Sequence, residues 1–295
     1  MTFEELKIEL SVSERLPFSE ATQRLQEQIF ALNKADIINL ISQIGAIPEN
    51  IIHDSTTEKL YTKVSDILLA KSLTELNLEA KVLTQRSDCA DVIAQSHYHG
   101  YSLVGDAKSF RLSRTARNAK DYKVTSMNNW RGDCDYSVLV CPYFQYPKNK
   151  SQIYKEALDG NVALLSWEYL YILLKENVKE SPEVNLCQLW NQSAIIGQGT
   201  TVHNAKNCFL PVQNSNIASI LNIHDTKFSS YFNQVKNIIV DRGNAEIGYF
   251  QQEINRVKQL NREDAIAELL RNMKLDGKIT TIRKFINQVK GQDDD

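Results

Sequence analysis

The sequence predicts an α/β protein with a mixed central sheet and helical regions at both ends of the chain. Residues 1–80 and the segment after about residue 226 carry apolar side chains at helical spacing. Between them, short apolar runs typical of strands alternate with amphipathic stretches typical of helices. Strands that alternate with helices favour crossover connections, so we expect a sheet with helices on its faces.

This pattern divides the chain into three regions that we expect to form one integrated unit. They are an N-terminal helical region (1–80), a core (81–180) and a loop-rich, then helical, C-terminal region (181–295). In the first region Ser19 is a candidate N-cap, and Ser55 has the spacing of a capping box with Glu58. The core is predicted to contain a hairpin at 91–110, a basic segment, a strand at 136–144, a helix from about 151, a strand at 162–165 and a helix from 167. Residues 183–226 are predicted to be loop.

Composition limits the class of protein. The chain has 295 residues and a net charge of −2, so any surface for nucleic acid must be a local patch. Its five cysteines form no Cys-x-x-Cys pair, which favours reduced thiols. The charged N-terminus is unlike a signal peptide, and the apolar stretch Val162–Leu174 is interrupted by Glu168. We expect a soluble cytoplasmic protein.

The predicted hairpin brings two acids and a lysine together. With 98–99 as its loop, Asp91 lies opposite Asp106, whereas with 99–100 as its loop Asp91 lies opposite Lys108. Both registers place the three side chains on one face, because side chains alternate along a strand and cross-strand neighbours share a face.

Acid-x-Lys by itself is weak evidence, since five other such pairs occur in the chain. The pair Asp106 and Lys108 differs because it follows Leu103–Gly105, which is typical of a strand covered on both faces. Charges at the end of such a strand need partners. A structural ion pair is the alternative to a catalytic site.

The chemistry of these residues indicates a metal-dependent nuclease. Mg²⁺ prefers a few carboxylate oxygens and polarises a phosphate, so Asp91 and Asp106 are candidate ligands, with the backbone carbonyl of Ala107 as a third. Lys108 would either position or deprotonate the attacking water or offset charge in the transition state. The sequence leaves both roles open.

A basic segment follows the acids. Between Asp106 and Lys123 there are six basic and two acidic residues, with the basic ones from Arg111 spaced by three, which on a helix would trace a ridge. Contact with DNA phosphates is the favoured interpretation, and a solvated helix face is the alternative. Asn118, Lys120 and Lys123 also have side chains that read base edges. The candidate DNA-binding residues are Arg111, Arg114, Arg117, Asn118, Lys120, Lys123, Lys148 and Lys150.

The segment DAKSFRLSRTA, residues 106–116, closely resembles the HindIII family of type II restriction endonucleases, whose core is the PD-(D/E)xK nuclease fold. The resemblance is clear over residues 30–190 and looser over the C-terminal helices, as in EDAIAELL from Glu263. Supporting matches are QR at Gln85 and Arg86, DVIA at 91–94, FQYP at 144–147, KSQI at 150–153 and SWE at 166–168.

The resemblance implies Mg²⁺-dependent cleavage of double-stranded DNA at a palindromic hexamer, AAGCTT, cut after the first A to leave 5′ overhangs. Asp91, Asp106 and Lys108 match the family's catalytic acids and lysine. Asp121 matches a further acidic position, which implies an auxiliary role toward a metal or a base-reading lysine. The chain departs from the family at Thr84, where the family has an acid, so no ligand role carries over to it.

A palindromic target implies a two-fold homodimer with one acid cluster for each strand, and the flanking helices are candidates for its interface. The resemblance also implies a cognate DNA methyltransferase that acts on the same site without forming a stable complex. Two other readings stay open: a repair or junction-resolving nuclease with the same core, and a DNA-binding regulator with structural carboxylates.

Overall fold

The computed structural model describes residues 1–83, 89–114, 118–147, 151–199, 206–273 and 277–283. It contains two compact units, Met1–Asn244 and Ala245–Asp295. In chain order the elements are α1 (Phe3–Ser13), α2 (Phe18–Phe30), α3 (Lys34–Ile41), β1 (Ala46–Ile47), α4 (Thr56–Glu75), β2 (Glu79–Val82), β3 (Val92–Gln95), β4 (Ser102–Ala107), β5 (Phe110–Arg111), α5 (Ala119–Tyr122), α6 (Val124–Trp130), β6 (Tyr136–Cys141), a 3₁₀ turn (Tyr143–Gln145), α7 (Gln152–Gly160), β7 (Val162–Ser166), α8 (Trp167–Lys175), α9 (Cys187–Trp190), α10 (Gln192–Gly199), α11 (Lys206–Ile220), α12 (Asp225–Lys258) and α13 (Arg262–Met273).

The N-terminal region is helical, as predicted. The Ser55 hydroxyl accepts a hydrogen bond of 3.1 Å from the Glu58 amide at the start of α4, which confirms the predicted cap. The prediction for Ser19 is wrong, because α2 begins at Phe18 and Pro17 stands at its N-cap. The fixed φ of proline and its missing N–H suit the start of a helix.

The main sheet has five strands in the order β2-β3-β4-β6-β7. Antiparallel pairing joins β2, β3 and β4, and parallel pairing joins β4, β6 and β7, which confirms the predicted mixed sheet. Val92 pairs with Gly105, as in the first of the two predicted hairpin registers, and Gly100 adopts a φ of 70° in the turn. Strand β2 was not predicted, because its charged residues lie on an exposed or half-buried edge.

Helices cover both faces of this sheet. Helices α4 and α8 pack with α1–α3 over one face, where Leu103 of β4 is buried. Helices α6, α7 and α11 contribute buried residues to a second core on the other face, which contains Val104. Gly105 allows α4 to pack closely on β4, since a Cβ atom built there would lie 3.1 Å from Leu69. The end of β4 is therefore backed by a packed layer of buried side chains on each face of the sheet.

Two sequence-based predictions of local structure are wrong. The stretch 183–226 contains α9, α10 and α11 rather than loop. This segment is rich in polar residues, but apolar side chains such as Phe209 and Ile217 are buried in the core and hold it there. The basic segment is not one helix. Arg111 lies in β5, which pairs with β1, and Lys123 adopts a left-handed φ of 52° that separates α5 from α6.

The second unit contains the C-terminal part of α12, followed by α13 and a helical stretch at 277–283. None of the side chains of α13 is buried. Across the described ranges, no helix has both the length and the hydropathy needed to cross a membrane.

Candidate active site

The hairpin places the predicted acids and lysine together. The amide of Asp91 donates to the Gly105 carbonyl at 3.1 Å, which continues the register of the hairpin to the position opposite Asp106. At the end of β4 the Lys108 ammonium forms an ion pair with Asp106 Oδ2. Asp106 is 1% exposed and the Lys108 side chain is 16% exposed, so the carboxylate of the pair is almost completely withdrawn from water. Asp91 is 39% exposed and gives the cluster an open side.

A third acid, Asp66 of α4, lies in the cluster, and the sequence analysis did not predict it as a site residue. It is 2% exposed, and its charge interacts with those of Asp91 and Asp106. Lys63, one helical turn earlier, lies 3.4 Å from Asp66 Oδ2 and 3.7 Å from Asp91 Oδ1. The available signal was a lone acid among the buried apolar residues of an amphipathic helix. Its pairing with the hairpin is visible only in the tertiary structure.

The donor set fits a divalent cation. Asp66 Oδ1 and Asp106 Oδ1 are buried, and neither has a hydrogen-bond partner within the described part of the chain. Burying a carboxylate oxygen without a hydrogen-bond partner costs free energy. A hard divalent cation could stabilise such an oxygen, because carboxylate oxygens are the ligands that hard cations prefer. These two atoms, together with the half-exposed carboxylate of Asp91, are oxygen donors of the kind that Mg²⁺ prefers.

Burial and mutual repulsion set the charges of the cluster. Burial raises the pKa of Asp106 to about 6, with Lys108 opposing the shift and Asp91 adding to it. Burial, reinforced by Asp91, also holds the pKa of Asp66 well above its usual range. For Lys108, burial lowers the pKa, but the Asp106 carboxylate outweighs it and the pKa is raised. A cation among these acids would restore their charged forms, because it relieves the repulsion between them.

The backbone of Lys108 is held from two sides. Its amide donates to the Val140 carbonyl at 2.8 Å, and its carbonyl accepts from the indole N–H of Trp167 at 3.0 Å. Trp167 opens α8, directly after β7, and is 2% exposed. The tryptophan therefore fixes the direction from which the Lys108 side chain approaches Asp106.

We expect Trp167→Phe to slow DNA cleavage about tenfold while leaving DNA affinity unchanged, because a small misplacement of Lys108 affects the chemical step. The lost hydrogen bond should also cost roughly 1 kcal/mol of unfolding free energy. Trp190→Phe is the matched control, since its indole donates to the Tyr101 hydroxyl at 3.0 Å and not to a residue of the acid cluster. It should lower stability alone. Equal cleavage rates in single-turnover assays of the two variants would contradict this role of Trp167.

Arg111, a predicted DNA contact, is used by the protein itself. Its Nη2 donates to the Ile51 carbonyl at 2.7 Å and to Glu58 Oε1 at 2.6 Å. Its Nη1 donates to the Pro48 carbonyl at 3.1 Å. These bonds hold the loop before α4 against β5, so the guanidinium has a structural role here, and its contact with DNA stays a prediction.

Arg111→Ala should therefore lower the free energy of unfolding by about 2–4 kcal/mol, because it leaves a partly buried carboxylate and carbonyl groups without their donor. Denaturant titration measures this loss. Exposed Lys120 is the contrasting position. Lys120→Ala should leave stability unchanged and reduce the salt dependence of DNA binding by about one phosphate contact. An Arg111→Ala protein with unchanged stability and weakened DNA binding would show that Arg111 contacts DNA and does not have the structural role assigned to it.

The other predicted residues are distributed as follows. Asp121 Oδ2 accepts from the Asn118 amide at 2.7 Å and from Arg114 Nη2 at 2.8 Å, so it organises the start of α5. Lys123 lies over the Trp130 ring at 5.2 Å. Asn118, Arg114, Lys120 and Lys123 are all exposed. The residues that lie outside the described ranges are Thr84, Gln85, Arg86, Arg117, Lys148 and Lys150.

A second group of possible metal ligands lies elsewhere on the surface. His53, Asp54 and Glu58 place ligand atoms within 4.8 Å of one another. Glu58 already binds Arg111, and its Oε2 accepts from the Asp54 amide at 2.7 Å. Its carboxylate is therefore committed to the loop before α4, which favours a structural role for the group.

Comparison with known proteins gives the family. The model of the HindIII restriction endonuclease family matches residues 4–286. The type II restriction enzyme HindIII of Haemophilus influenzae is 43% identical over 276 residues, which cover 94% of this chain and 92% of that enzyme. The chain belongs to the HindIII restriction endonuclease family. This membership confirms the resemblance seen in the sequence and, with it, the predicted class of enzyme, a site-specific deoxyribonuclease.

Membership in the HindIII family also narrows the interpretation of the acid cluster. A buried ion pair alone would not separate a catalytic site from a structural one. In a restriction endonuclease, three convergent carboxylates and a lysine at the end of a central strand form the strongest candidate for the centre that cuts DNA. The regulator with structural carboxylates is disfavoured accordingly.

Proposed function

We propose that this HindIII-family enzyme cuts double-stranded DNA at AAGCTT, after the first A, in a Mg²⁺-dependent reaction that leaves 5′ overhangs. The observation that carries the proposal is the convergence of Asp66, Asp91, Asp106 and Lys108, with two unpaired buried carboxylate oxygens, in a chain of this family. The cytoplasm, where DNA is accessible, is the proposed place of action.

In this proposal the carboxylates of Asp91 and Asp106 would bind the metal, and the backbone carbonyl of Ala107 would be a further ligand. The buried carboxylate of Asp66 would add negative charge next to these two acids. A bound Mg²⁺ supplies Lewis-acid polarisation of the scissile phosphate and a site for a water. The protein contributes position. Asp106 is fixed in β4, and the buried layer behind it keeps bulk water out of one side of the cluster.

For Lys108 the charges favour electrostatic stabilisation over general-base catalysis. The Asp106 carboxylate raises the lysine pKa, so the ammonium keeps its proton at neutral pH. A protonated lysine cannot accept a proton from water, but it can donate to a phosphate oxygen and offset developing charge. We therefore assign Lys108 the role of orienting the phosphate and stabilising its transition state.

Exposed residues of the basic segment are the proposed contacts with DNA. Arg114, Lys120 and Lys123 place positive charge at the exposed surface around α5, and Asn118 lies beside them. Arg117, Lys148 and Lys150, which lie outside the described residues, belong to the same proposal on the sequence alone. Asp121 is proposed to act indirectly, since it holds Arg114 by a hydrogen bond.

The proposed assembly is a homodimer, because a palindrome presents two equivalent strands and each chain carries one acid cluster. The proposed biological partner is a DNA methyltransferase that protects the same site without a stable complex. The division into an N-terminal helical region, a catalytic core at 81–180 and a C-terminal region stays a prediction.

Digestion of a plasmid with a single AAGCTT site tests the activity. We expect one linear product with Mg²⁺, none with a chelator, and end sequences that place the cut after the first A. A matched plasmid with one base pair of the site changed should stay intact. Cleavage at another palindrome would show that AAGCTT is not the recognition sequence. Preference for a branched duplex would indicate a junction-resolving nuclease, and binding without any nick would indicate a regulator.

A further inference from the structure

Lys63 of α4 is a second lysine beside the acid cluster, and the proposed function assigns it no role. Its ammonium lies 3.4 Å from Asp66 Oδ2 and 3.7 Å from Asp91 Oδ1. The same ammonium donates to the Leu83 carbonyl at 3.4 Å. The Lys63 side chain is 17% exposed, so neighbouring groups largely enclose it. A lysine in this position is in contact with two acids of the cluster at once.

The contacts of Lys63 join two segments that are distant in the sequence. Asp66 belongs to α4, one turn after Lys63, whereas Asp91 directly precedes β3. The Leu83 carbonyl is held near Asp91, because the Leu83 amide donates to the Asp91 carbonyl at 2.8 Å. The lysine therefore bridges the acid of the helix and the acid of the sheet.

This bridge offsets a repulsion within the cluster. Asp66 is 2% exposed, so little water screens its charge from that of Asp91. Burial and the charge of Asp91 raise the pKa of Asp66, and Lys63 opposes this rise. The Lys108 ammonium forms its ion pair with Asp106, so the two lysines serve different acids of the cluster.

The lengths of the Lys63 contacts matter for metal binding. Charge-assisted hydrogen bonds of an ammonium measure about 2.7–2.9 Å. At 3.4 Å and 3.7 Å from its two carboxylates, Lys63 is held more loosely than such a bond would hold it. A divalent cation on Asp91 would compete with this ammonium for the same carboxylate. The lysine would then repel the bound cation from its remaining contacts with Asp66 and Leu83.

We propose that Lys63 is a positioning residue with two effects: it holds Asp66 and Asp91 together before the metal binds, and it lowers the affinity of the cluster for that metal. This role depends on the metal site of the proposed function. A merely structural lysine leads to the opposite expectation, because its loss would displace the ligands and weaken metal binding. The sign of the change in metal affinity therefore separates the two interpretations.

Binding of Mn²⁺ to the full chain without DNA tests the proposal. Mn²⁺ prefers the same oxygen ligands as Mg²⁺, and electron paramagnetic resonance counts its free ion. At pH 8.5, where few protons compete for the carboxylates, Lys63→Met should bind Mn²⁺ about tenfold more tightly than wild type, because a neighbouring positive charge is removed. Lys63→Arg keeps the charge and should bind Mn²⁺ as wild type does. Asp106→Asn should lose most of the binding, which would place the ion in the acid cluster.

Lys71→Met is the matched control. Lys71 is a lysine of the same helix with a side chain that is 11% exposed, and it pairs at 2.8 Å with Glu75, which is not an acid of the cluster. Its replacement should leave the Mn²⁺ affinity unchanged. Lys63→Gln is a second test variant, because its amide can still donate to the Leu83 carbonyl, and it should also bind Mn²⁺ more tightly. It decides the question if the methionine variant does not fold.

Thermal melting gives a second readout. Without metal, Lys63→Met should unfold at a lower temperature than wild type, because Asp66 and Asp91 lose their counter-charge. Saturating Mn²⁺ should reduce this difference, since the ion binds the folded variant more tightly than it binds wild type. The effect of Lys71→Met on the melting temperature should be the same with and without Mn²⁺.

Each outcome supports or overturns this role of Lys63. Unchanged or weaker Mn²⁺ binding by the folded Lys63 variants overturns it, whether or not AAGCTT is cut. Tighter binding by Lys63→Met and not by Lys63→Arg supports it, even if the enzyme cuts another sequence. Mn²⁺ binding that Asp106→Asn leaves intact lies outside the acid cluster and overturns it. If neither wild type nor the Lys63 variants bind Mn²⁺, this role and the proposed metal site both fail.

Discussion

Replacement of Asp106 or Lys108 should produce a protein that binds AAGCTT DNA and does not cut it. Asp106→Asn removes the charge on which the proposed metal site depends, and Lys108→Met removes the ammonium beside the phosphate. Each change should lower the single-turnover rate by roughly 10³-fold or more, which corresponds to about 4 kcal/mol of transition-state stabilisation. Gel-shift assays with Ca²⁺ in place of Mg²⁺ measure binding separately from cleavage.

Lys108→Arg separates the two roles that the sequence left open. An arginine keeps the positive charge but cannot act as a base, because its pKa is above about 12. If Lys108 stabilises charge, the arginine variant should retain measurably more activity than Lys108→Met. Equal inactivity of the two variants, with normal melting temperatures, would instead favour a proton-transfer role. Each variant needs the melting control, because loss of one partner of a buried ion pair is itself destabilising.

Asp66→Asn should make the enzyme slower and the metal-free protein more stable. Burial raises the pKa of the Asp66 carboxyl in the folded chain above its unfolded value. Between these two pKa values the folded state binds more protons, so the contribution of Asp66 to stability falls as the pH rises through that window. At neutral pH the wild type carries this destabilisation, and asparagine removes it.

We expect the melting temperature of Asp66→Asn without metal to rise by about 2–4 °C, equivalent to roughly 1 kcal/mol. The gain should shrink as the pH is lowered towards about 4, the usual pKa of an aspartate. With Mg²⁺, cleavage should be slowed about a hundredfold, and half-maximal activity should need more metal. Asp159→Asn, at an exposed acid of α7, should change neither quantity. A destabilised Asp66→Asn protein with normal cleavage would refute this role.

Activity of the wild type should also fall under acidic conditions. The pKa of Asp106 lies near 6 in the metal-free protein, so protons compete with the metal for this carboxylate at lower pH. More Mg²⁺ should restore the rate on the acidic side, because metal and proton bind the same group. A pH profile measured at two Mg²⁺ concentrations checks this expectation.

Much of the fold followed from local pattern. Helical periodicity located α3, α4, α12 and α13, and continuous apolar runs located β4, β6 and β7. These elements were predictable because each buries one face or both, and a buried face requires apolar residues at a regular spacing in the sequence. Polar segments were misjudged. The sequences of α10 and α11 have the polar composition of a loop. Both segments are helical because they pack against the core.

The site divides in the same way. Asp91, Asp106 and Lys108 were predicted to meet because a tight hairpin fixes its own register over a short stretch of chain. The local charge pattern of the basic segment was also visible, but its single helix was not realised, because Arg111 bonds to the distant loop before α4. Contacts that close between remote segments have no local signature.

Sequence alone was sufficient for the family, the mixed sheet and the acid–lysine hairpin, since these depend on residue identity and on contacts between neighbours in the chain. Tertiary structure decided the rest. It brought Asp66 to the hairpin, set Trp167 against the Lys108 carbonyl and turned Arg111 inward, because the packing of α4 and α8 on the sheet determines which remote groups lose water together. Desolvation of that kind belongs to the folded molecule, and it is what raises the pKa of each buried acid in the cluster.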